Sequence, residues 1–381
     1  MQRLSPVRWM LACVMTATLV ACAEREARHD RAVNEVVAQG WDAQPLQRPQ
    51  TPSGDFPYRI ESYTWGDPIL AGTLTLPGGD GPFPAVLLIT GSGPQDRDET
   101  IFEHKPFWVI ADHLTRRGIG VLRVDDRGVG QSGGDVSKIT LQTNADDVRT
   151  SLAWLRARPD VDPSRVGLIG HSEGGILAAM VAADNPDVSF IVSLAGPGVP
   201  GDAIIMDQFD AMMALQDTYD EATQQVARKG QRTVLSSAMK GASKEQLRRD
   251  ITALLLSLSP NGADPFTVEA QTHAVASPWF RSFLVHHPAA DWKRVGVPVL
   301  VLNGTLDTQV RHALNVPPIE AALRAGGNNA VTIDVRHGLN HLFQPAKTGS
   351  PMEYRMIETT FDTATLARLS SWVQNQVSAE K

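Results

Sequence analysis

Apolar and polar positions follow two rhythms along this chain, and their order predicts its architecture. Residues 58–65 and 69–76 read as a pair of strands joined through Gly66-Asp67-Pro68. Residues 84–90 form an uninterrupted apolar run, the pattern of a strand buried on both faces, as in a parallel sheet. Amphipathic residues 104–117 predict a helix, 119–125 a strand, and 144–158 a helix with Val148, Leu152 and Leu155 on one stripe. A short apolar run at 166–169 leads into an Ala-, Leu- and Met-rich helix at 173–181. Strands follow at 189–194, 297–303 and 331–336, and a helix over 363–376 closes the chain with Leu366, Leu369 and Trp372 inward. Repeated strand–helix alternation predicts an α/β protein with a mostly parallel sheet covered by helices on both faces.

One interval breaks that rhythm. Residues 204–215, 221–228 and 245–258 read as helices with no strand between them, so 201–285 is expected to be a helical cap inserted between sheet strands. Its methionines Met206, Met212, Met213 and Met239 either line an adaptable apolar pocket or pack the helices together. Trp279, Phe280 and Phe283, where the chain returns to the sheet, are candidate pocket walls.

The N-terminus carries a different signal. Arg3 and Arg8 precede an apolar stretch over residues 9–20, too short for the roughly 20 residues that span a bilayer. It ends in Leu19-Val20-Ala21-Cys22, which resembles a bacterial lipobox. That resemblance implies a signal peptide at 1–21, acylation of Cys22, and an exported protein anchored by lipid to the outer membrane and facing the periplasm. The alternative is an ordinary secretory signal. Residues 22–54 then form a tether, 55–200 and 286–381 the two parts of the core. Either reading removes Cys13 and puts Cys22 at the terminus, so no disulfide is expected.

Composition adds mainly exclusions. The chain has 381 residues, is 42% hydrophobic and 20% charged, and carries a net charge of −7, so a nucleic-acid partner is not expected. His286 and His287 are adjacent rather than spaced along one helix face, and no H-E-x-x-H, P-loop or dinucleotide fingerprint occurs. Neither a metal nor a cofactor is expected.

Candidate chemistry centres on Gly170-His171-Ser172-Glu173-Gly174, a G-x-S-x-G sequence between a strand and a helix. A serine on so sharp a turn needs small neighbours, and the helix start aims backbone N–H groups at a developing oxyanion. A serine hydroxyl also needs a base and an acid to orient that base, expected in the order serine, acid, histidine. Asp307 directly follows the strand at 297–303; its rival Glu320 lies in a helical stretch. His341 lies in the loop beyond residues 331–336 and is favoured over His337, which adjoins the strand.

Together, Gly170 to Gly175, Asn303-Gly-Thr-Leu-Asp307 and Gly338-Leu-Asn-His-Leu-Phe343 resemble the α/β-hydrolase superfamily, most closely its bacterial esterase and serine-aminopeptidase-like branch. The runs at 90–98 and 125–132 resemble its oxyanion loop and the turn after the strand before the elbow. The resemblance implies an α/β-hydrolase fold, Ser172 as nucleophile, His341 as base and Asp307 as orienting acid. It implies one oxyanion donor at the N–H of Glu173 and a second at Ser92 or Gly93. Asp96 and Asp98 are expected to cap the helix near His104 or to bind a polar substrate group, and Arg127 to pair within its own turn or to clamp a carboxylate. The expected activity is cleavage of carboxylic esters through an acyl-enzyme. Amide, peptide or thioester substrates with the same triad are the alternative, and a binding module that has kept the fold without catalysis is a third reading.

Overall fold

A computed structural model of the protein describes residues 47–214, 219–258 and 263–378. The lipobox-like run, Cys22 and most of the expected tether lie outside the described residues.

The described chain divides into two compact units. The larger, drawn from Pro45–Val136, Gln142–Val199 and His287–Lys381, is built on one eight-stranded sheet. Its strands are β1 (Tyr58–Trp65), β2 (Leu70–Pro77), β3 (Phe83–Ile89), β4 (Gly120–Val124), β5 (Val161–His171), β6 (Ile191–Leu194), β7 (Val299–Gly304) and β8 (Val331–Arg336). The spatial order is β1-β2-β4-β3-β5-β6-β7-β8. Only β1–β2 and β2–β4 are antiparallel; every later pair is parallel. Edge strand β1 alternates buried and exposed residues, whereas β2, β6 and β7 are buried throughout. The uninterrupted apolar runs therefore mark strands covered on both faces.

In this unit α1 (Pro106–Thr115), α2 (Leu141–Arg156), α3 (Glu173–Ala183), the short α9 (Pro288–Trp292), α10 (His312–Ala325) and α11 (Thr363–Ser378) connect or flank the strands. A core cluster joins Val86, Ile110 and Leu114 to Phe190, Leu300, Leu369 and Trp372. Almost every residue of α3 is buried, as expected of a helix apolar all round.

The smaller unit, Ser137–Leu141 with Pro200–His286, is helical among its described residues. It holds α4 (Gly201–Ala214), α5 (Glu221–Met239), α6 (Lys244–Leu258), α7 (Pro265–Ala276) and α8 (Pro278–Val285). Helix α5 packs on α6 and α6 on α7, and α8 touches α4, α5 and α7. Residues 277–283 are thus the start of a helix within this unit rather than a plain return segment. The caps explain it: Asp264 accepts from the Thr267 N–H and Ser277 from the Phe280 N–H, each ahead of a proline at the first helical turn. Met213 is buried among these helices and Met239 is exposed, so the methionines do not act as one set.

Candidate active site

The three residues expected to act together lie beyond the carboxyl ends of β5, β7 and β8. Strands β5, β6, β7 and β8 are consecutive neighbours, so these ends share one stretch of sheet edge, the edge where open α/β sheets bind ligands.

Ser172 joins β5 to α3 at φ 52° and ψ −121°, a backbone conformation that non-glycine residues rarely adopt. Two hydrogen bonds hold it there, from its own N–H to the Leu194 carbonyl (2.8 Å) and from the Gly175 N–H to its carbonyl (2.9 Å). The flanking glycines are steric requirements. A Cβ on Gly170 would strike the Gly174 carbonyl, and one on Gly174 would strike the carbonyls of Ile89 and Thr90. The chain before and after the serine therefore passes too close to its surroundings for any side chain.

His341 is 5% exposed, and its Nδ1 lies 2.8 Å from Asp307 Oδ2. Asp307 is itself buried, and its Oδ1 accepts the backbone N–H groups of Gln309 (2.9 Å) and Val310 (2.8 Å). With the proton on Nδ1, Nε2 of His341 carries the lone pair a base needs. The rivals stand elsewhere. His337 is exposed, and Glu320 is a half-exposed residue of α10 paired with Arg324.

The loop after β3 is held by its own charged residues. Gly91 donates its N–H to Glu99 Oε1 at 2.6 Å, and a Cβ on Gly91 would lie 3.2 Å from that of Ser172. The loop thus abuts the nucleophile elbow. With the Gly91 N–H committed, Ser92 and Gly93 remain the candidate donors, and Gly93 takes φ 97°, open to glycine. Arg97 makes a two-pronged pair with Asp125 (3.0 and 2.6 Å), and Asp98 pairs with buried Arg123. Burial raises the Asp98 pKa, with Arg123 opposing it. Burial also holds Asp126 well above the usual carboxylate range, although Thr90 Oγ1 (2.6 Å) and the Gln95 N–H (2.9 Å) donate to it.

Three expectations are corrected here. Asp96 binds the N–H groups of Asp98 and Thr100 inside the loop instead of capping a helix, because the helix starts later, behind Lys105. Asp98 is taken up by Arg123. Arg127 reaches out of its turn to Asp147 on α2, in a two-pronged pair at 2.8 and 2.6 Å.

Trp279, Phe280 and Phe283 form one aromatic group on α8, with Trp279 and Phe283 stacked at 5.6 Å. Glu173, the first residue of α3, is buried, and its carboxylate accepts from Asn144. Glu99 and His171 were not singled out from sequence. Glu99 ends a run of charged residues that reads as a solvated loop, yet it is 5% exposed. Among the described residues no cluster of three or more histidine, cysteine or acidic side chains is arranged for a metal, and no helix is long and apolar enough to cross a membrane.

The model of the X-Pro dipeptidyl-peptidase (S15) family matches residues 69–316, a span that includes both Ser172 and Asp307. The chain belongs to the S15 family. It is 30% identical over 308 residues to the esterase EstD of Thermotoga maritima, covering 80% of this chain and 65% of EstD, so the match spans less than two thirds of that enzyme. A shorter stretch of 84 residues is 34% identical to the thiohydrolase apmlB of Arthrinium phaeospermum, covering 22% of this chain and 27% of the other. Among solved structures, the α/β-hydrolase GrgF from Penicillium sp. sh18 superposes with a TM-score of 0.51 at 17% identity, over 85% of this chain and all of GrgF. The fold is that of the α/β hydrolases, as the sequence motifs imply, and this S15 chain stands among relatives named as hydrolases. The span matched by the family model ends before His341, which stands after β8 and is bonded to Asp307.

Proposed function

We propose that this S15-family protein is a serine hydrolase that cleaves carboxylic esters through an acyl-enzyme. The observation that carries the reading is the 2.8 Å bond from His341 Nδ1 to Asp307, on the same sheet edge as a serine held at φ 52°. In this reading, His341 Nε2 takes the Ser172 hydroxyl proton as Oγ attacks the ester carbonyl. The negative charge that develops on the carbonyl oxygen meets the N–H of Glu173 and that of Ser92 or Gly93. Asp307 stabilises the imidazolium, which then protonates the departing alcohol and leaves an acyl group on Ser172. Water, deprotonated by His341, repeats the sequence and releases the acid.

A second reading, cleavage after an X-Pro dipeptide, is favoured by the family description, and thioester cleavage by the thiohydrolase relative. The test combines fluorophosphonate labelling with p-nitrophenyl esters, an acyl thioester and an aminoacyl-prolyl nitroanilide. Ester turnover and labelling that both vanish in Ser172→Ala support the proposal. Turnover of the nitroanilide alone moves the assignment to peptidase, and an active Ser172→Ala sinks both. His341→Ala should abolish turnover and His337→Ala should not; the reverse result in folded proteins ends the assignment of the base. Among substrates, acyl-chain preference is expected to depend on Trp279, Phe280 and Phe283.

We also propose that the protein is exported and lipid-anchored at Cys22. Mass spectrometry of membrane-associated protein should find an acylated Cys22 at the mature N-terminus, and an unmodified terminus there or elsewhere contradicts it.

A further inference from the structure

Outside the proposed triad, Glu99 is a buried charged residue in a strained backbone conformation. It is 5% exposed and sits at φ 53°, a left-handed conformation that non-glycine residues rarely adopt. The surrounding turn holds it there, with the Glu99 N–H bonded to the Asp96 carbonyl at 2.9 Å. Such strain persists where a side chain must reach a particular place. Glu99 Oε1 receives two donors, the Gly91 N–H at 2.6 Å and Nδ1 of buried His171 at 2.9 Å. The other nitrogen of His171, Nε2, lies 3.0 Å from the carbonyl oxygen of His341. The two histidine rings are 4.7 Å apart.

We infer that Glu99 and His171 are positioning residues, a buried ion pair that ties the oxyanion loop, the nucleophile elbow and the loop of the catalytic histidine into one register. The inference rests on the triad reading above. Its chemistry follows from what each nitrogen faces. A carboxylate and a carbonyl oxygen both accept and neither donates, so His171 satisfies both only as an imidazolium with two N–H groups. Burial pushes the His171 pKa down, but the Glu99 charge, the bond to Glu99 and the bond to the His341 carbonyl outweigh it, and the net shift is upward. The titratable groups facing His171 are Glu99, Asp307 and the His341 ring, with Asp126 beyond Glu99. His171 is covalently next to Ser172, and Gly91 packs against both Glu99 and Ser172, so the pair touches the backbone on either side of the nucleophile. His341 is thereby held twice, by Asp307 at its ring and by His171 at its carbonyl.

Glu99→Gln keeps the shape and one acceptor while removing the charge. We expect kcat to fall roughly ten- to a hundredfold in Glu99→Gln and in His171→Gln, with KM within about threefold, because the affected geometry is that of the reacting groups. The double variant should be no slower than the worse single one, since both break one unit. As a readout independent of folding losses, carbon-labelled histidine followed by NMR in the wild-type enzyme should find His171 still protonated at neutral pH. Glu99→Gln should move that titration to lower pH. Full kcat in folded Glu99→Gln, additive losses in the double variant, or a neutral His171 at pH 7 overturns the inference. Full activity in Glu99→Gln beside a dead Ser172→Ala fails this inference alone; an active Ser172→Ala fails the triad reading beneath it.

Discussion

Asp307→Asn exchanges a carboxylate oxygen for an amino group and should disable the enzyme through a tautomer. Asp307 Oδ1 accepts the N–H groups of Gln309 and Val310 at 2.9 and 2.8 Å, while Oδ2 faces His341 Nδ1 at 2.8 Å. Those two N–H groups decide how a carboxamide must lie: its oxygen stays on them and its amino group turns to His341. Nδ1 must then accept, so the imidazole proton moves to Nε2, the nitrogen that Ser172 needs as its base. Turning the amide over restores the tautomer but sets an amino group against two buried donors, at a cost of about 1 kcal/mol or more for each. At about 1.4 kcal/mol per tenfold, the productive form holds no more than roughly one molecule in thirty. The kcat for a p-nitrophenyl ester should therefore fall at least about thirtyfold, and by up to roughly ten-thousandfold if the productive form is not used. Urea unfolding should show that the variant is folded. A folded Asp307→Asn enzyme within tenfold of wild-type kcat would refute the reasoning and remove Asp307 as the orienting acid.

Two further expectations concern stability. Gly174→Ala places a methyl group against the carbonyls of Ile89 and Thr90, which are backbone and cannot turn away; urea denaturation should report a loss of roughly 1–3 kcal/mol or more, and an unchanged midpoint would contradict the packing. His113, bonded to Ser370 on α11, has its pKa lowered to about 4, chiefly by burial and then by Arg117. Its depressed value means that the unfolded chain binds the proton more readily, so the contribution is complete above about pH 6.5 and is lost as pH falls towards 4. The loss is at most about 3 kcal/mol, and nearer half of that given partial solvent exposure. His113→Gln should flatten the slope of unfolding free energy between pH 6.5 and 4, and an unchanged slope would assign the acid sensitivity to other groups.

The sheet was legible because its strands are nearly all two-sided and so read as unbroken apolar runs. The loops that carry Asp307 and His341 could be located because the runs at 297–303 and 331–336 read as strands, and the structure brings the two side chains within 2.8 Å of each other. The start of β5 was not. Asp162, Ser164 and Arg165 disguise it, and the register with β3 shifts there. Helices α7 and α8 were missed although Asp264-Pro265 and Ser277-Pro278 carry their start signals, because the apolar period inside α7 is weak and α8 is only eight residues long. Glu99 and Arg127 belong to a harder class. Their partners, His171 and Asp147, lie 72 and 20 residues away, and nothing local marks a charged residue as destined for burial.

Neighbouring strands β6 and β7 pair Ile191 with Val299, so a parallel contact inside the sheet waits for the whole intervening segment of chain. Parallel neighbours always need a crossover, and closing a longer one costs more entropy before any contact repays it. Among β1 to β5 the longest crossover, between β3 and β5, is shorter than that between β6 and β7, and these strands bring together Gly91, His171 and Ser172 but not Leu194 or His341. The order of assembly thus places the serine early and its histidine and acid late, because both follow β7. Pulsed hydrogen exchange during refolding should protect β3–β5 amides ahead of those in β7 and β8, with hydrolase activity returning on the slower clock. Until that last pairing, a folding chain would carry a nucleophile that has no means of losing its proton.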